Sequence, residues 1–129
     1  MENRRVLVDT SILIDFFRKK NKKKSLLYKI QKTHKIYAST VSEFEFLAGI
    51  KSEHVTSLKH FFSKISLLPF DSKAAAKASS IYKDLKSKNQ VIEFRDIFIA
   101  STAIANDLPI STLNLEHFKR VNDLKILEI

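Results

Sequence analysis

The sequence predicts an α/β fold in which helices cover a central, mostly parallel β-sheet. Short apolar runs typical of buried strands alternate with longer segments whose apolar residues recur at helical spacing. Of the 129 residues, 44% are hydrophobic and 29% are charged, which is enough apolar side-chain volume for one ordinary core. Neither a repeat nor a linker interrupts the chain, so we expect one domain over residues 1–129.

The first half of the chain contains two predicted strands and three predicted helices. Residues 6–8 (VLV) form an uninterrupted apolar run, as buried parallel strands do. Thr10 and Ser11 have hydroxyl groups that can cap a helix, and Gly49 stands where glycine commonly ends one. The expected order is strand 6–8, helix 10–17, helix 25–32, strand 36–38 and helix 40–50.

The second half contains three predicted strands, three helices and a short helical turn. Asp71 and Ser72 can cap the long alanine-rich helix that follows them. Pro109 is compatible with the first position of a strand, where no ladder hydrogen bond is lost. The expected order is helix 53–64, strand 66–70, helix 72–88, helix 94–106, strand 109–112, helical turn 115–120 and strand 125–127.

The rare residues exclude several kinds of chemistry. The chain has no cysteine, which excludes disulfides, thiolate zinc sites and cysteine nucleophiles. Its single glycine, Gly49, excludes a P-loop, a dinucleotide-binding fingerprint and a nucleophile elbow, all of which need at least two glycines. No apolar run approaches the roughly 18 residues that span a bilayer. Since residues 1–5 lead directly into a strand, we expect no signal peptide, no membrane partner and a cytoplasmic location.

A short segment contains most of the excess positive charge. The net charge is +9, and removing the six charges of this segment leaves +3. Such a concentration is typical of a surface that binds a polyanion, most often nucleic acid, although a solvated turn would look the same. We call it the basic stretch, and its members are candidate RNA-binding residues: Arg18, Lys19, Lys20, Lys22, Lys23 and Lys24.

Three acids occur where apolar residues are expected. On a helical wheel, Glu43 falls within the apolar arc of helix 40–50, whereas Glu45 falls on the polar side and is predicted to be an ordinary surface acid. Asp96 falls among the alanines and isoleucines of helix 94–106, and Asp9 ends the apolar strand 6–8. An unpaired buried carboxylate costs several kcal/mol, so such groups are neutralised, paired or bound to a metal.

These acids are expected to meet at one edge of the sheet. In open parallel sheets, ligands bind at the carboxyl ends of the strands, where Asp9, Glu43, Asp96 and Asn114 would lie. Oxygen ligands favour Mg²⁺, or Mn²⁺, which would activate water against a phosphodiester held by the basic stretch. Each acid taken singly has another explanation: Asp9 as a helix cap, Asp96 as a helix-dipole acid, and Glu43 as a lysine partner.

Four segments resemble the successive motifs of PIN domains. They are 6–15 (VLVDTSILID), 40–49 (TVSEFEFLAG), 95–103 (RDIFIASTA) and 111–118 (STLNLEHF). The resemblance runs from about residue 5 to the C-terminus, and its order and length are similar to VapC-type toxins of toxin–antitoxin pairs. It implies a three-layer α/β/α PIN-like fold and Mg²⁺-dependent endoribonuclease activity. It further implies a homodimer and a VapB-type antitoxin partner.

The resemblance also assigns roles to individual residues. Asp9 and Asp96 would be the main metal ligands, Glu43 a third acid that binds metal or positions water, and Asn114 the fourth catalytic member. The commonest pattern has aspartate at the fourth position. Asparagine cannot act as a base there, which puts a second tightly held metal in doubt. Glu116 is expected to be a surface acid.

Two other functions are compatible with parts of this pattern. Because Asn114 is neutral, the chain could be a catalytically weak PIN-like module that binds RNA or a partner protein. A phosphoacceptor domain fits less well, because an aspartyl phosphatase needs a second acid where Ser11 stands, and a receiver needs paired acids beside its first strand.

Overall fold

A computed structural model describes residues 4–128 of the chain. Residues 1–3, on which the expectation about a signal peptide partly rests, and residue 129 lie outside the described part. Four parallel strands form one sheet in the order β3-β2-β1-β4. The strands are β1 (Arg5–Val8), β2 (Lys35–Ser39), β3 (Ser66–Leu68) and β4 (Ile110–Ser111).

Seven helices surround this sheet within residues 4–128, joined by two short 3-10 turns at Lys22–Lys24 and Ser52–His54. None of the described helices is long and apolar enough to cross a membrane. The helices are α1 (Thr10–Arg18), α2 (Leu26–Gln31), α3 (Thr40–Gly49), α4 (Val55–Ser63), α5 (Ser72–Ser87), α6 (Phe94–Ala105) and α7 (Leu115–Phe118).

The strand β1 divides the core between the two faces of the sheet. Successive side chains of a strand point to opposite faces. Val6 and Val8 accordingly pack with apolar side chains of α1, α2 and α4, whereas Leu7 packs with those of α5, α6 and α7. All three side chains are fully buried. The expected three-layer α/β/α arrangement around a parallel sheet is therefore confirmed.

The C-terminal segment differs from the prediction. Instead of a strand over 125–127, Ile126 forms a single parallel bridge to Ile110. Two hydrogen bonds make this bridge, from the Ile110 amide to the Lys125 carbonyl and from the Leu127 amide to the Ile110 carbonyl. Because β4 has only two residues, it offers this segment only one paired position, so the predicted fifth strand does not extend further.

The register of β1 and β4 positions the functional end of the sheet. Val8 is level with Ser111, and the Asp9 amide donates a hydrogen bond to the Ser111 carbonyl. The residues that follow β1 and β4 therefore leave the sheet side by side. Asp9 and Thr112 begin this edge, which is the edge that the sequence predicts for the site.

Candidate active site

Asp9 is buried where β1 ends and α1 begins, with 3% of its surface exposed. Its carboxylate caps α1, as aspartate commonly does at a helix N-terminus. The Oδ2 atom accepts hydrogen bonds from Ser11 Oγ (2.8 Å), the Ser11 amide (3.4 Å) and Thr112 Oγ1 (2.8 Å). Among residues 4–128, no lysine or arginine forms an ion pair with it. The cap explains its position but leaves its charge without a cation.

Asp96 is buried in the first turn of α6, with 5% of its surface exposed. His117 Nδ1 lies 2.9 Å from Asp96 Oδ2, and Asn114 Nδ2 donates to the same oxygen over 3.4 Å. Burial raises the pKa of the Asp96 carboxyl; the hydrogen bond to His117 opposes this rise, and the charge of Asp9 adds to it. The two carboxylates therefore disfavour each other's charged form.

Two residues of the segment after β4 connect these carboxylates. Thr112 Oγ1 donates to Asp9 and accepts a hydrogen bond from the Asn114 amide over 2.9 Å. The Asn114 side chain in turn contacts Asp96 Oδ2 and His117 Nδ1. The structure therefore brings Asp9, Asp96 and Asn114 together, as the sequence predicts.

The acid that α3 contributes to this group is Glu45, and the prediction that Glu45 is an ordinary surface acid is wrong. Its side chain is only 20% exposed. It accepts a hydrogen bond from Thr10 Oγ1 (2.9 Å) and pairs with Arg95 NH1 (3.2 Å). Thr10 adjoins Asp9 in the sequence, and Arg95 adjoins Asp96. Glu45 is thus attached to both halves of the site.

Glu43 is not among the residues that the structure brings together. Thr10 Oγ1 contacts both Ser42 Oγ and Glu45, so these two residues define the face of α3 that meets α1. At about 100° per residue, Glu43 is rotated by roughly 130° from the middle of that face. Its carboxylate forms no hydrogen bond or ion pair with any residue in 4–128. The placement of Glu43 beside Asp9 and Asp96 is therefore corrected.

The helical wheel selects the wrong acid of α3 because two polar residues of this helix, Ser42 and Glu45, face α1. Ser42 is fully buried, while Phe44 is 67% exposed. Ser42, Glu45 and Gly49 recur at helical spacing, and this polar stripe on an otherwise apolar helix is the signal that would have found Glu45. His117 follows Asn114 by three residues on α7, but a lone histidine without metal-ligand spacing gives no comparable signal.

The site fits a hard divalent cation in its donor chemistry. In each carboxylate, Oδ2 takes the hydrogen bonds described above, and Oδ1 forms none with residues 4–128. No three acidic or histidine side chains in this part of the chain are close enough to form a complete metal cage. Mg²⁺ does not need one, because it is commonly bound by one or two carboxylates together with water and substrate phosphates.

The basic stretch lies away from these carboxylates. It begins at the C-terminal end of α1, and nine helical residues separate that end from Asp9 by about 14 Å. Two of its members have structural partners: Lys22 Nζ donates to the carbonyls of Phe16 (2.7 Å) and Phe17 (3.1 Å), and Lys19 pairs with Asp15 (3.5 Å). The stretch does not adjoin the position where the scissile phosphate would bind.

An apolar groove of about 570 Å³ opens beside the site. Phe17, Phe46, Ile50 and Leu58 line it, and Glu45 lies on its wall. Aromatic rings pack edge to face along it, with ring centroids 5.1 Å apart for Phe17 and Phe46. The groove therefore joins an apolar surface to the charged group.

Comparison with known proteins places this arrangement in a family. Residues 6–124 match the family model described as the PIN domain. Ribonuclease VapC1 of Methanocaldococcus jannaschii is 30% identical over 130 residues, which cover 98% of this chain and 90% of that protein. Ribonuclease VapC19 of Mycobacterium tuberculosis is 31% identical over 120 residues, which cover 92% and 96% of the two proteins.

Solved structures have the same fold. The DNA-bound VapBC complex of Salmonella typhimurium contains a chain with a TM-score of 0.84 and 22% identity, over 96% of this chain and 97% of that one. A chain of VapBC2 from Rickettsia felis, bound to a promoter DNA fragment, gives a TM-score of 0.80 and 24% identity, over 95% and 96%. With the sequence matches, these show that the chain belongs to the PIN domain family, among its VapC members.

Proposed function

We propose that this protein is a metal-dependent endoribonuclease and the toxin of a VapB–VapC pair, acting in the cytoplasm. The observation that carries the proposal is the pair of buried carboxylates, Asp9 and Asp96, connected through Thr112 and Asn114 without a lysine or arginine partner in residues 4–128. A protein that gained nothing from two such charges would lose stability by keeping them. The ribonucleases VapC1 and VapC19 are relatives over nearly the whole chain.

Each residue of the site has its own role in the proposed reaction. Asp9 and Asp96 would hold Mg²⁺, or Mn²⁺ in its place, through the oxygens that the protein leaves without hydrogen bonds. Bound there, the ion supplies positive charge against the phosphodiester and makes water more acidic. Ser11 and Thr112 fix the orientation of Asp9, and Asn114 fixes that of Asp96.

Glu45 is the third acid in this proposal, in place of Glu43. Its two carboxylate oxygens are held by Thr10 and Arg95, so its position is fixed relative to both Asp9 and Asp96. A carboxylate held beside a metal site can orient water or accept a proton from it. Glu43 has no such supports among residues 4–128 and serves as the matched control on the same helix.

The test is RNA cleavage with and without Mg²⁺ by the parent chain and by Asp96→Asn, Glu45→Gln and Glu43→Gln. We expect Asp96→Asn and Glu45→Gln to reduce the rate by about 100-fold or more, as removal of a catalytic carboxylate does. Glu43→Gln should cleave at nearly the parent rate. Parent-like cleavage by Asp96→Asn would refute the site, and equal losses in the two glutamate variants would refute the choice of Glu45.

We propose a VapB-type antitoxin and a second copy of this chain as protein partners. The solved structures of similar fold include VapBC of Salmonella typhimurium and Rickettsia felis and a toxin–antitoxin complex from Klebsiella pneumoniae. The aromatic groove beside Glu45 is a suitable surface for an apolar antitoxin segment, because it is open and lined by Phe17, Phe46 and Leu58. An antitoxin bound there would cover the entrance to the carboxylates.

A catalytically weak PIN-like module is the second candidate, and one observation favours it. Asn114 occupies the acidic position of the fourth PIN motif, where an aspartate would add negative charge. Its side-chain Nδ2 is within hydrogen-bond distance of Asp96 and His117. The cleavage assay separates the candidates, because such a module would bind RNA without a Mg²⁺-dependent rate that depends on Asp96.

A further inference from the structure

A second concentration of positive charge lies at the opposite end of the sheet, where β1 and β2 begin. Arg5 and Lys35 are register partners on these two strands, so their side chains emerge next to each other. With Arg4 and Lys32 they line an open pocket of about 570 Å³, here called the strand-start pocket. No acidic residue is among those that line it in the described part of the chain.

The cations of this pocket contact aromatic rings instead of carboxylates. The Arg5 guanidinium lies 5.9 Å and Lys35 Nζ 5.2 Å from the centre of the Tyr37 ring. Lys32 Nζ lies 4.9 Å from the ring of Tyr28. Within residues 4–128, none of the four forms an ion pair. Like charges at a register pair repel each other, so an anion bound in the pocket would relieve this repulsion.

The charges of Arg5 and Lys35 act on the hydroxyl of Tyr37, which lines the same pocket. Burial raises the pKa of the Tyr37 hydroxyl, but the neighbouring cations Arg5 and Lys35 outweigh burial and lower it below its usual value. Because Arg5 and Lys35 both lie beside the Tyr37 ring, two positive charges are available to one phosphate group there.

The pocket is separated from the carboxylates by the length of a strand. Asp9 follows Arg5 by four residues, which span about 13 Å in an extended chain. Tyr37 packs on the face of the sheet covered by α5 and α6, whereas the basic stretch follows α1 on the other face. The strand-start pocket is therefore distinct from both the scissile-bond site and the basic stretch.

We propose that the strand-start pocket binds backbone phosphates of an RNA strand that extends beyond the cleavage site. The inference rests on the proposed ribonuclease function, because it makes the chain select RNAs long enough to reach both edges of the sheet. Unpaired cations around an aromatic ring are typical of surfaces that follow a single nucleic-acid strand. An acidic protein segment is less suited, because protein interfaces need apolar anchors, and Tyr37 is the only large apolar side chain among the residues described as lining this pocket.

The test compares two triple variants with equal loss of charge. The first, Arg4→Gln/Lys32→Gln/Lys35→Gln, removes three cations of the pocket. The control, Lys59→Gln/Lys73→Gln/Lys83→Gln, removes three exposed lysines of α4 and α5. RNA binding is measured without divalent metal over a KCl series, so that this readout does not depend on cleavage. Cleavage with Mg²⁺ is measured on a long structured RNA and on a short oligoribonucleotide that covers the carboxylate site alone.

We expect the pocket variant to bind long RNA about tenfold more weakly and to lower the slope of log K against log salt by about 2, as loss of three phosphate contacts predicts. Its KM for long RNA should rise by a similar factor, with kcat and cleavage of the short RNA unchanged. Equal behaviour of the two triple variants would overturn the inference while leaving the nuclease intact. If neither the parent nor the control variant cleaved RNA, while the pocket variant still bound it more weakly, the proposed nuclease activity alone would be refuted.

Two further measurements identify the source of the phosphate. A mononucleotide that competes with long RNA at equal affinity would assign the pocket to a small ligand and overturn the inference. So would a pocket variant that retains RNA binding and loses the antitoxin, since the pocket would then be a protein interface. Competition by long RNA but not by the mononucleotide supports the assignment.

Discussion

At the scale of single residues, the two buried aspartates of the site each accept all their described side-chain hydrogen bonds through one carboxylate oxygen, Oδ2. Asp9 Oδ2 takes three hydrogen bonds from Ser11 and Thr112, and Asp96 Oδ2 takes those of His117 and Asn114. Such bonds fix the planes of both carboxylates before any ligand binds, which lowers the cost of ordering them later. The charge that remains on the two groups is a cost to the metal-free protein.

This cost predicts that Asp96→Asn stabilises the metal-free chain. Because burial raises the pKa of Asp96, the folded protein favours the protonated acid, and stability falls as pH rises from the ordinary pKa of aspartate to the raised one. Asparagine removes this penalty, so the variant should melt a few degrees higher than the parent at neutral pH. The difference should disappear in acid, where Asp96 is protonated in both states.

Thermal denaturation in the presence of a chelator measures this difference. Glu116→Gln is the control, because Glu116 is an exposed acid whose nearest described partner is Arg120 at 3.6 Å, and its loss should leave the melting temperature unchanged. If Asp96→Asn melted lower than the parent at neutral pH, the Asp96 charge would be stabilising and its burial would need another explanation.

At the scale of elements, the sequence predicts the helices and strands better than it predicts which helix face is buried. The apolar run of β1 and the cap at Asp71 act locally, so they are visible in the sequence; the cap of α1 is Asp9, next to the predicted Thr10 and Ser11. Glu45 depends on Thr10 and Arg95, which are 35 and 50 residues away. The sequence of one helix does not show which distant residues it contacts. The apolar arc of α3 therefore favoured Glu43 instead.

The end of α3 illustrates the same limit and supplies a prediction. Gly49 is the last residue of this helix, but its φ is not positive, so the backbone there does not require glycine. A Cβ at this position would meet nothing within 4 Å. Gly49→Ala should therefore stabilise the chain by about 0.5 kcal/mol through reduced backbone freedom. Left-handed positions after α5 and α6 are instead taken by Asn89 (φ 56°) and Asp107 (φ 55°).

Urea denaturation of Gly49→Ala and Asn89→Ala tests this assignment. Asn89 follows the last turn of α5, and alanine in its left-handed conformation costs about 1 kcal/mol, so this variant should be less stable than the parent. The two substitutions should thus act in opposite directions. Destabilisation by Gly49→Ala would contradict the open space that surrounds this position.

At the scale of the whole molecule, positive charge is distributed around a small acidic site. The basic stretch is one helix length from Asp9, and the strand-start pocket lies at the far end of the sheet. The net charge of +9 favours binding of a polyanion, and Asp9, Asp96 and Glu45 form a small acidic region within this positive surface.

For the basic stretch, we expect the quadruple variant Arg18→Gln/Lys20→Gln/Lys23→Gln/Lys24→Gln to weaken RNA binding. The slope of log K against log salt should fall by up to about 3 if all four contact phosphates. Lys22→Gln is the internal comparison, because Lys22 binds the end of α1 and its loss should lower stability more than affinity. An unchanged slope in the quadruple variant would indicate that the basic stretch is a solvated turn that does not contact RNA.

The central claim is that Asp9 and Asp96 together hold a divalent cation, and calorimetric titration with Mg²⁺ tests it most directly. We expect the parent chain and Glu43→Gln to bind Mg²⁺ alike. Asp9→Asn and Asp96→Asn should each bind it at least tenfold more weakly, since each removes one charged ligand. Binding of equal strength in all four proteins, or no binding by the parent, would contradict the claim.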